Sequence, residues 1–200
     1  HRVLDTNNID DLYKEFKGFE LDVYFNIEED CFDVKHHGDR SDLKLSEYFK
    51  AIEDCDSIKL WIDFKNLNLE NTDISIRLLS NLCAKYDIKS DVIVESKQIH
   101  LLSKFKKAGF YISYWLPSFH YLKSIFNIFQ IKNNLIEFKP DVISMPYSSV
   151  SFYSKKFPNY PIHCWTNGMV GEDDKLKIEN LSKIQSVRII LTDFKKNFLK

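Results

Sequence analysis

Residues 58–115 read IKLWIDFKNLNLENTDISIRLLSNLCAKYDIKSDVIVESKQIHLLSKFKKAGFYISYW. In this stretch, short runs rich in β-branched and aromatic residues alternate with segments of helical periodicity. The runs occupy residues 58–64, 91–95 and 110–115, and the helical segments occupy residues 74–86 and 98–108. The second helical segment has apolar residues spaced by three and stops at Gly109, as a helix C-terminus should. This repeated order of strand and helix predicts a parallel sheet with helical crossovers.

The rest of the chain repeats the same order. Further strands are expected at residues 19–25, 141–144, 162–165 and 188–191, and further helices at residues 45–54, 122–138, 149–156 and 174–184. These strands are one short of a compact (β/α)8 TIM-type barrel, so we expect the first strand just upstream of or at His1. No linker divides the sequence, which predicts a single domain over residues 1–200. An open doubly wound sheet is the competing architecture, but the glycine-rich phosphate loop that often marks one is absent.

The amino-acid composition limits the classes of binding partner and site that we expect. The chain has 28 basic and 29 acidic residues, so its net charge of −1 gives no global attraction for nucleic acid, and we expect no such partner. Its 4 Cys form no CxxC pair, which argues against a zinc knuckle. No apolar run approaches the roughly 18 residues of a membrane span, so we expect no transmembrane segment. The cytoplasm is the favoured compartment, with a removed N-terminal targeting signal left open, and the sequence does not set the oligomeric state.

Two carboxylates occupy alternate positions of the strand expected at residues 19–25. The alternation of a strand puts Glu20 and Asp22 on the same face, which in a barrel is the interior. Two buried carboxylates are costly unless a cation neutralises them. Oxygen ligands of this kind favour Mg²⁺ or Ca²⁺ over zinc. The alternative is an amphipathic strand whose acidic side faces solvent.

Other polar residues at expected strand ends suggest acid–base chemistry. Asp63 and Lys65 share a face by the same alternation, either as a third metal ligand with its cationic partner or as a surface ion pair. Residues 32–37 read as a short strand that ends in the paired histidines His36 and His37, and histidine suits general acid–base work near neutral pH. His1 and His36, on opposite sides of a phosphate, would supply an acid and a base. The remaining lone histidines, His100, His120 and His163, are expected to be solvated.

Taken together, these residues resemble the glycerophosphodiester phosphodiesterase-like family, whose pattern runs HRG, ExD, HD, ExK, WT and TD. The matching positions, in chain order, are His1-Arg2, Glu20-x-Asp22, His36, Asp63-x-Lys65, Trp165-Thr166 and Thr192-Asp193. The resemblance implies a barrel of the phosphatidylinositol-phospholipase-C-like type and a divalent metal on Glu20, Asp22 and Asp63. It further implies His1 and His36 as the acid–base pair, with phosphate bound by Arg2 and Lys65.

The chain departs from this pattern at several positions. Val3 stands where the family has glycine, His37 follows His36 in place of aspartate, and Asp63 replaces a glutamate. The elements HRV, ELDV, DVxH and WxDFKNL resemble more closely a divergent branch that is similar to menorin (family with sequence similarity 151). In that branch Glu95 is a possible additional ligand, and its alternative role is a carboxylate at a helix N-terminus.

The expected function is a metal-dependent phosphodiesterase that cleaves a small phosphodiester, either as a hydrolase or as a phospholipase-like lyase. The substrate class is a glycerophosphodiester, a phospholipid headgroup or a glycan-linked phosphate, and Trp165 would offer it a flat apolar wall. Core packing is expected for Trp61. The alternative is a catalytically degenerate barrel that binds a ligand, but retention of His1, His36, Glu20 and Asp22 together favours activity.

Overall fold

The structure is a computed structural model of the protein. It describes residues 3–4, 6–7, 9–36, 43–52, 58–122, 125–166 and 172–192. At residues 10, 125 and 172–174 it describes the backbone alone. The contacts divide the chain into two compact units, Arg2–Ile112 and Ser113–Lys200, called here the N-terminal and the C-terminal unit. Both units alternate strands and helices, which confirms the α/β class. A single domain over residues 1–200 stays a prediction.

The N-terminal unit is built on three parallel strands and one antiparallel strand. Its elements are α1 (Ile9–Glu15), β1 (Gly18–Asn26), β2 (Cys31–Val34), α2 (Leu45–Ala51), β3 (Lys59–Phe64), α3 (Thr72–Tyr86), β4 (Val92–Ser96) and α4 (Ile99–Lys107). β1 pairs with β3 and β3 pairs with β4, both in parallel, while β2 runs antiparallel to β1. Asp30, in the turn between β1 and β2, adopts φ 48°, the left-handed conformation that Asp tolerates better than most residues.

The core of this unit lies between the strands and the helices. Leu21 and Val23 of β1, which alternate with Glu20 and Asp22, are fully buried. Edge-to-face aromatic contacts join the strands to α4, with ring centroids 5.6 Å apart for Phe32 and Phe64 and 6.2 Å apart for Phe64 and Phe105. Alternation therefore assigns the apolar side chains of β1 to one face and its two carboxylates to the other.

The C-terminal unit contains a run of parallel strands and the helices that connect them. Its elements are β5 (Tyr111–Trp115, which begins just before the unit boundary), α5 (Ile125–Phe138), β6 (Val142–Pro146), α6 (Val150–Lys156), β7 (Ile162–Trp165), α7 (Glu172–Ser182) and β8 (Val187–Leu191). β5 pairs with β6, β6 with β7 and β7 with β8, all in parallel. Ile143, Met145 and Cys164 are fully buried on these strands, as expected where helices cover a parallel sheet.

The seven strands expected from the alternation of strands and helices are all present within two residues of the expected bounds, and the described strands are mostly parallel. The short strand expected at residues 32–37 is β2, which is antiparallel to β1. Helix α1, of 7 residues, lies where no helix was expected from the sequence. Closure into a (β/α)8 barrel and a strand at or before His1 stay predictions, and His1 lies outside the described residues. No helix within the described ranges is long and apolar enough to span a bilayer.

Candidate metal and acid–base site

Three strands of the N-terminal unit carry the acidic residues in adjacent positions. In the sheet register Asp22 of β1 lies beside Asp63 of β3, and Asp63 lies beside Glu95 of β4. Glu20 lies two residues before Asp22 and shares its face. One carboxylate oxygen from each of Glu20, Asp22 and Asp63 lies within 4.8 Å of the others. The structure thus brings together the three residues expected to ligate a metal.

His36 lies beside this cluster because β2 folds back on β1. The backbone N–H of Lys35 donates to the carbonyl oxygen of Asp22, at 3.1 Å, and so places the next residue over the Asp22 side chain. Nδ1 of His36 lies 2.5 Å from Oδ2 of the fully buried Asp22. In a neutral imidazole whose Nδ1–H donates to a carboxylate, Nε2 is left to accept a proton. The sequence analysis had assigned Asp22 to the metal alone and did not foresee this contact.

Lys65 follows β3 and bridges two of the carboxylates. Its Nζ lies 2.8 Å from Oδ1 of Asp22 and also forms an ion pair with Oδ2 of Asp63. Burial alone would raise the pKa of Asp22, but Lys65, together with His36, holds that pKa below its usual value. Burial lowers the pKa of Lys65, yet the charges of Asp63 and Asp22 outweigh it and leave the pKa raised. Burial raises the pKa of Asp63 despite the nearby ammonium.

The charges of the cluster leave room for a divalent cation. Among the described residues, Lys65 is the lysine that forms ion pairs with carboxylates of this cluster, and the charge of Lys97 also acts on Asp63, so negative charge is in excess there when all three are ionised. The three side chains offer only oxygen donors, which suit Mg²⁺ or Ca²⁺. Donor type and charge therefore fit the expected cation, although Lys65 and His36 already occupy both oxygens of Asp22.

An asparagine after Lys65 fixes this end of β3, a role that the sequence analysis missed. Oδ1 of Asn66 accepts the N–H of Phe25 at 2.8 Å, and its Nδ2 donates to the Phe25 carbonyl at 2.9 Å. Asn71, buried at the start of α3, donates in turn to the carbonyl of Asn66. The available signal was the recurrence of asparagine in the turn between β3 and α3, at positions 66, 68 and 71.

Glu95 is 2% exposed at the end of the same row of carboxylates. The next residue, Ser96, accepts a hydrogen bond from the N–H of Gln98 at the start of α4. This bond ends on the residue before the first turn of α4, which has no side-chain cap, so the role of Glu95 as a carboxylate near the helix N-terminus also stays a prediction. Participation of Glu95 in metal binding stays a prediction.

Some of the tryptophans and histidines for which the sequence made predictions lie in the C-terminal unit. Trp165 is half-buried and stacks on Trp115, with ring centroids 6.1 Å apart and an interplanar angle of 21°. Trp61, in the N-terminal unit, is buried as expected. His100 and His120 are exposed as expected, but the prediction for His163 was wrong. His163 is 3% exposed on β7, and burial lowers its pKa to about 3.

Several expected site residues lie outside the described residues: His1, Arg2, His37 and Asp193. Val3 is described, and its backbone N–H donates to the carbonyl of Glu20 at 2.9 Å. The chain two positions after His1 therefore runs beside the carboxylate-bearing part of β1. Thr166, of the Trp-Thr pair, is buried and donates through both its N–H and its hydroxyl to the carbonyl of Leu191. This threonine thus ties β7 to β8.

No protein-family model and no curated protein matches the chain. Among solved structures, a glycerophosphodiester phosphodiesterase from Parabacteroides distasonis is similar over 98% of this chain and 87% of its own, with 15% identity and a TM-score of 0.72. A phosphodiesterase from Oleispira antarctica, solved with the product sn-glycerol-3-phosphate, is similar over 97% and 88%, with 12% identity and a TM-score of 0.70. A glycerol uptake operon antiterminator regulatory protein from Listeria monocytogenes is similar over 96% and 89%, with 12% identity and a TM-score of 0.60. At these sequence identities the similarity concerns the fold. The expected resemblance to glycerophosphodiester phosphodiesterases is confirmed at the level of the fold, and membership of the menorin-like branch stays a prediction.

Proposed function

We propose that this protein is a metal-dependent phosphodiesterase that cleaves a small phosphodiester. The observation that carries the proposal is the carboxylate cluster of Glu20, Asp22 and Asp63, with His36 hydrogen-bonded to Asp22. A cation-binding cluster beside an oriented histidine is a combination that phosphoryl chemistry uses. The fold shared with solved glycerophosphodiester phosphodiesterases supports the same proposal as an analogy.

The cluster would hold Mg²⁺ or Ca²⁺ through Glu20, Asp22 and Asp63, with Glu95 as a possible fourth acidic residue. The cation would polarise a phosphoryl oxygen and reduce the charge that the nucleophile meets. Lys65 holds Asp22 and Asp63 together and, with Arg2, is proposed to bind the phosphate. Trp165 stays a proposed substrate contact.

His36 would act as a general base or acid at its Nε2. Asp22 accepts a hydrogen bond from Nδ1 and so fixes both the ring and the tautomer. As a base, Nε2 takes the proton of an attacking hydroxyl as the oxygen–phosphorus bond forms. His1 would then give a proton to the alkoxide that leaves as the other bond breaks. With water as nucleophile the products are a phosphomonoester and an alcohol, and with a substrate hydroxyl the product is a cyclic phosphodiester.

The second candidate function is ligand binding without turnover. It is favoured by the position of Lys65, whose ammonium lies between two of the proposed metal ligands and partly replaces a cation there. A regulatory protein with the same fold, from Listeria monocytogenes, fits this alternative.

The test is a hydrolysis assay of glycerophosphodiester and headgroup substrates with Mg²⁺, Ca²⁺ or a chelator, followed by ³¹P NMR. We expect activity with a cation only and a loss of about a hundredfold or more in His36→Ala. His100→Ala removes an exposed histidine of the same unit and serves as the matched control. Full activity in chelator or in His36→Ala would contradict the mechanism. Calorimetric cation binding that needs Asp63, without turnover of any substrate, would support the binding alternative instead.

A further inference from the structure

Helix α5 is apolar on two sides, and only one of them has a structural explanation. On the inner side Ile131 and Leu135 are buried, and Tyr160 donates its hydroxyl hydrogen to the carbonyl of Leu135. On the outer side Phe126, Phe129 and Ile136 recur at helical spacing, and their exposed fractions are 72%, 56% and 60%. A helix that packs on its own unit needs one apolar side. The outer side therefore calls for a partner.

The exposed apolar side chains are concentrated in this part of the chain. Among the described residues, eight large apolar side chains are exposed, and half of them fall within residues 121–136. These four residues, called here the docking patch, are Tyr121, Phe126, Phe129 and Ile136. Contiguous exposed apolar residues of this kind mark interaction sites.

The segments of sequence that contain the docking patch are poor in acidic residues. The sequence has no Asp or Glu from residue 96 to residue 136 or from residue 142 to residue 171, although the whole chain has 29 acidic residues. Within the C-terminal unit, the described lysines of these two segments are Lys132 on α5 and Lys155 and Lys156 on α6. The two acids between the segments, Glu137 and Asp141, lie at and beyond the C-terminal end of α5. Before the C-terminal end of α5, the described charged residue of this helix is thus a lysine.

A groove next to the docking patch is also lined by aromatic rings and lysines. Phe119, two residues before Tyr121, stacks on Phe152 of α6 with ring centroids 5.6 Å apart. These rings line an open groove of about 430 Å³ together with Lys155 and Lys156. Serine side chains complete its wall, and no acidic residue is among the described residues that line it. Lysines bordering exposed aromatic rings are the arrangement that anionic lipid headgroups and the membrane interface favour.

We propose that the docking patch, with Lys132, Lys155 and Lys156 beside it, binds the surface of an anionic lipid bilayer. The aromatic rings would enter the headgroup region while the lysines attract acidic lipids. A second copy of the chain is a poorer occupant, because pairing the same face twice brings lysines of like charge together. This surface needs no catalytic activity, so the proposal does not depend on the proposed function.

The experiment is sedimentation of the whole chain with phosphatidylcholine vesicles that contain or lack phosphatidylserine, at low and high salt. We expect binding to the anionic vesicles and its loss at high salt. The double variant Phe126→Ser, Phe129→Ser should weaken binding at least about tenfold. The double variant Lys155→Gln, Lys156→Gln should weaken it by about fivefold per lysine.

Leu69→Ser is the matched control, since Leu69 is 73% exposed and lies in the N-terminal unit. It should bind vesicles like the wild type, and circular dichroism should show that all variants stay folded. Failure to bind anionic vesicles, or equal binding by the phenylalanine variant, would overturn the proposal. A dimer in sedimentation velocity that the phenylalanine variant abolishes, without vesicle binding by the wild type, would assign the patch to a second copy and also overturn it.

Discussion

The buried imidazole of His163 makes the stability of this protein depend on pH. Burial on β7 lowers the pKa of His163 to about 3, from 6.5 for a solvated histidine. Between these values the unfolded chain binds a proton that the folded chain does not, so acid favours unfolding. The free energy of unfolding should fall by about 1.4 kcal/mol for each pH unit in this window. From about pH 7.5 to about pH 4.5 the loss from this one group is about 2.7 kcal/mol.

His163→Gln isolates this contribution, because the amide side chain is polar but does not titrate. The variant should be less stable than the wild type at neutral pH, since glutamine fills the site differently. That deficit should shrink by about 2.7 kcal/mol on going from about pH 7.5 to about pH 4.5. Other titrating groups are common to both proteins, so they cancel in the difference.

Urea unfolding at a series of pH values measures the free energy of unfolding of the wild type and of His163→Gln as a function of pH. Each value comes from the midpoint and slope of the urea transition. His100→Gln, which removes an exposed histidine, should follow the wild-type curve. Parallel curves for the wild type and His163→Gln would refute the reasoning. They would mean that the buried ring takes up a proton in the folded state or leaves the core before global unfolding.

Three further predictions concern the N-terminal unit. Lys65→Met leaves the buried Asp22 and its neighbour Asp63 without their ammonium, and should destabilise the protein by roughly 3–5 kcal/mol in chelator. Added Mg²⁺ or Ca²⁺ should restore part of this loss in a thermal melt, and a melt insensitive to cation would contradict a metal site. Asn66→Ala removes both hydrogen bonds to the backbone of Phe25 and should cost about 1–3 kcal/mol in urea unfolding, while an unchanged midpoint would show that water replaces them. Gly18→Ala puts a Cβ atom 2.5 Å from the carbonyl oxygen of Lys59, so it should destabilise by about 1–3 kcal/mol through a shift of β1 against β3. An unchanged unfolding midpoint in that variant would show that the register adapts at no cost.

The periodicity of the strands was enough to predict most of the elements of the fold. It also predicted part of the carboxylate cluster. The buried apolar runs of β3 and β4, each followed by a helical segment, required nothing beyond local pattern. The same period placed Glu20 and Asp22 on one face of β1. Helix α1 has apolar residues at helical spacing, Ile9, Leu12 and Tyr13, but it is only 7 residues long, and among its described side chains Ile9 alone is buried. So short an amphipathic segment is weak evidence for a helix.

The errors share a cause, which is contact between distant parts of the chain. The bond between His36 and Asp22 requires β2 to pair antiparallel with β1, with Val34 opposite Val23. The turn that allows this pairing has no glycine, and Asp30 adopts its left-handed conformation instead. The burial of His163 was not predicted, for a related reason. It lies on β7, which is paired on both sides, so even its polar position is covered.

Asp22 accounts for both the stability of the site without a cation and its suitability for one. A fully buried carboxylate is costly, and Lys65 and His36 offset that cost by holding one oxygen each. Those contacts leave Asp63 with weaker compensation than Asp22, since burial raises the pKa of Asp63, whereas Lys65 and His36 keep the pKa of Asp22 lowered. If the cluster holds a cation, as proposed, Asp63 therefore gains most from it, while Asp22 also orients His36.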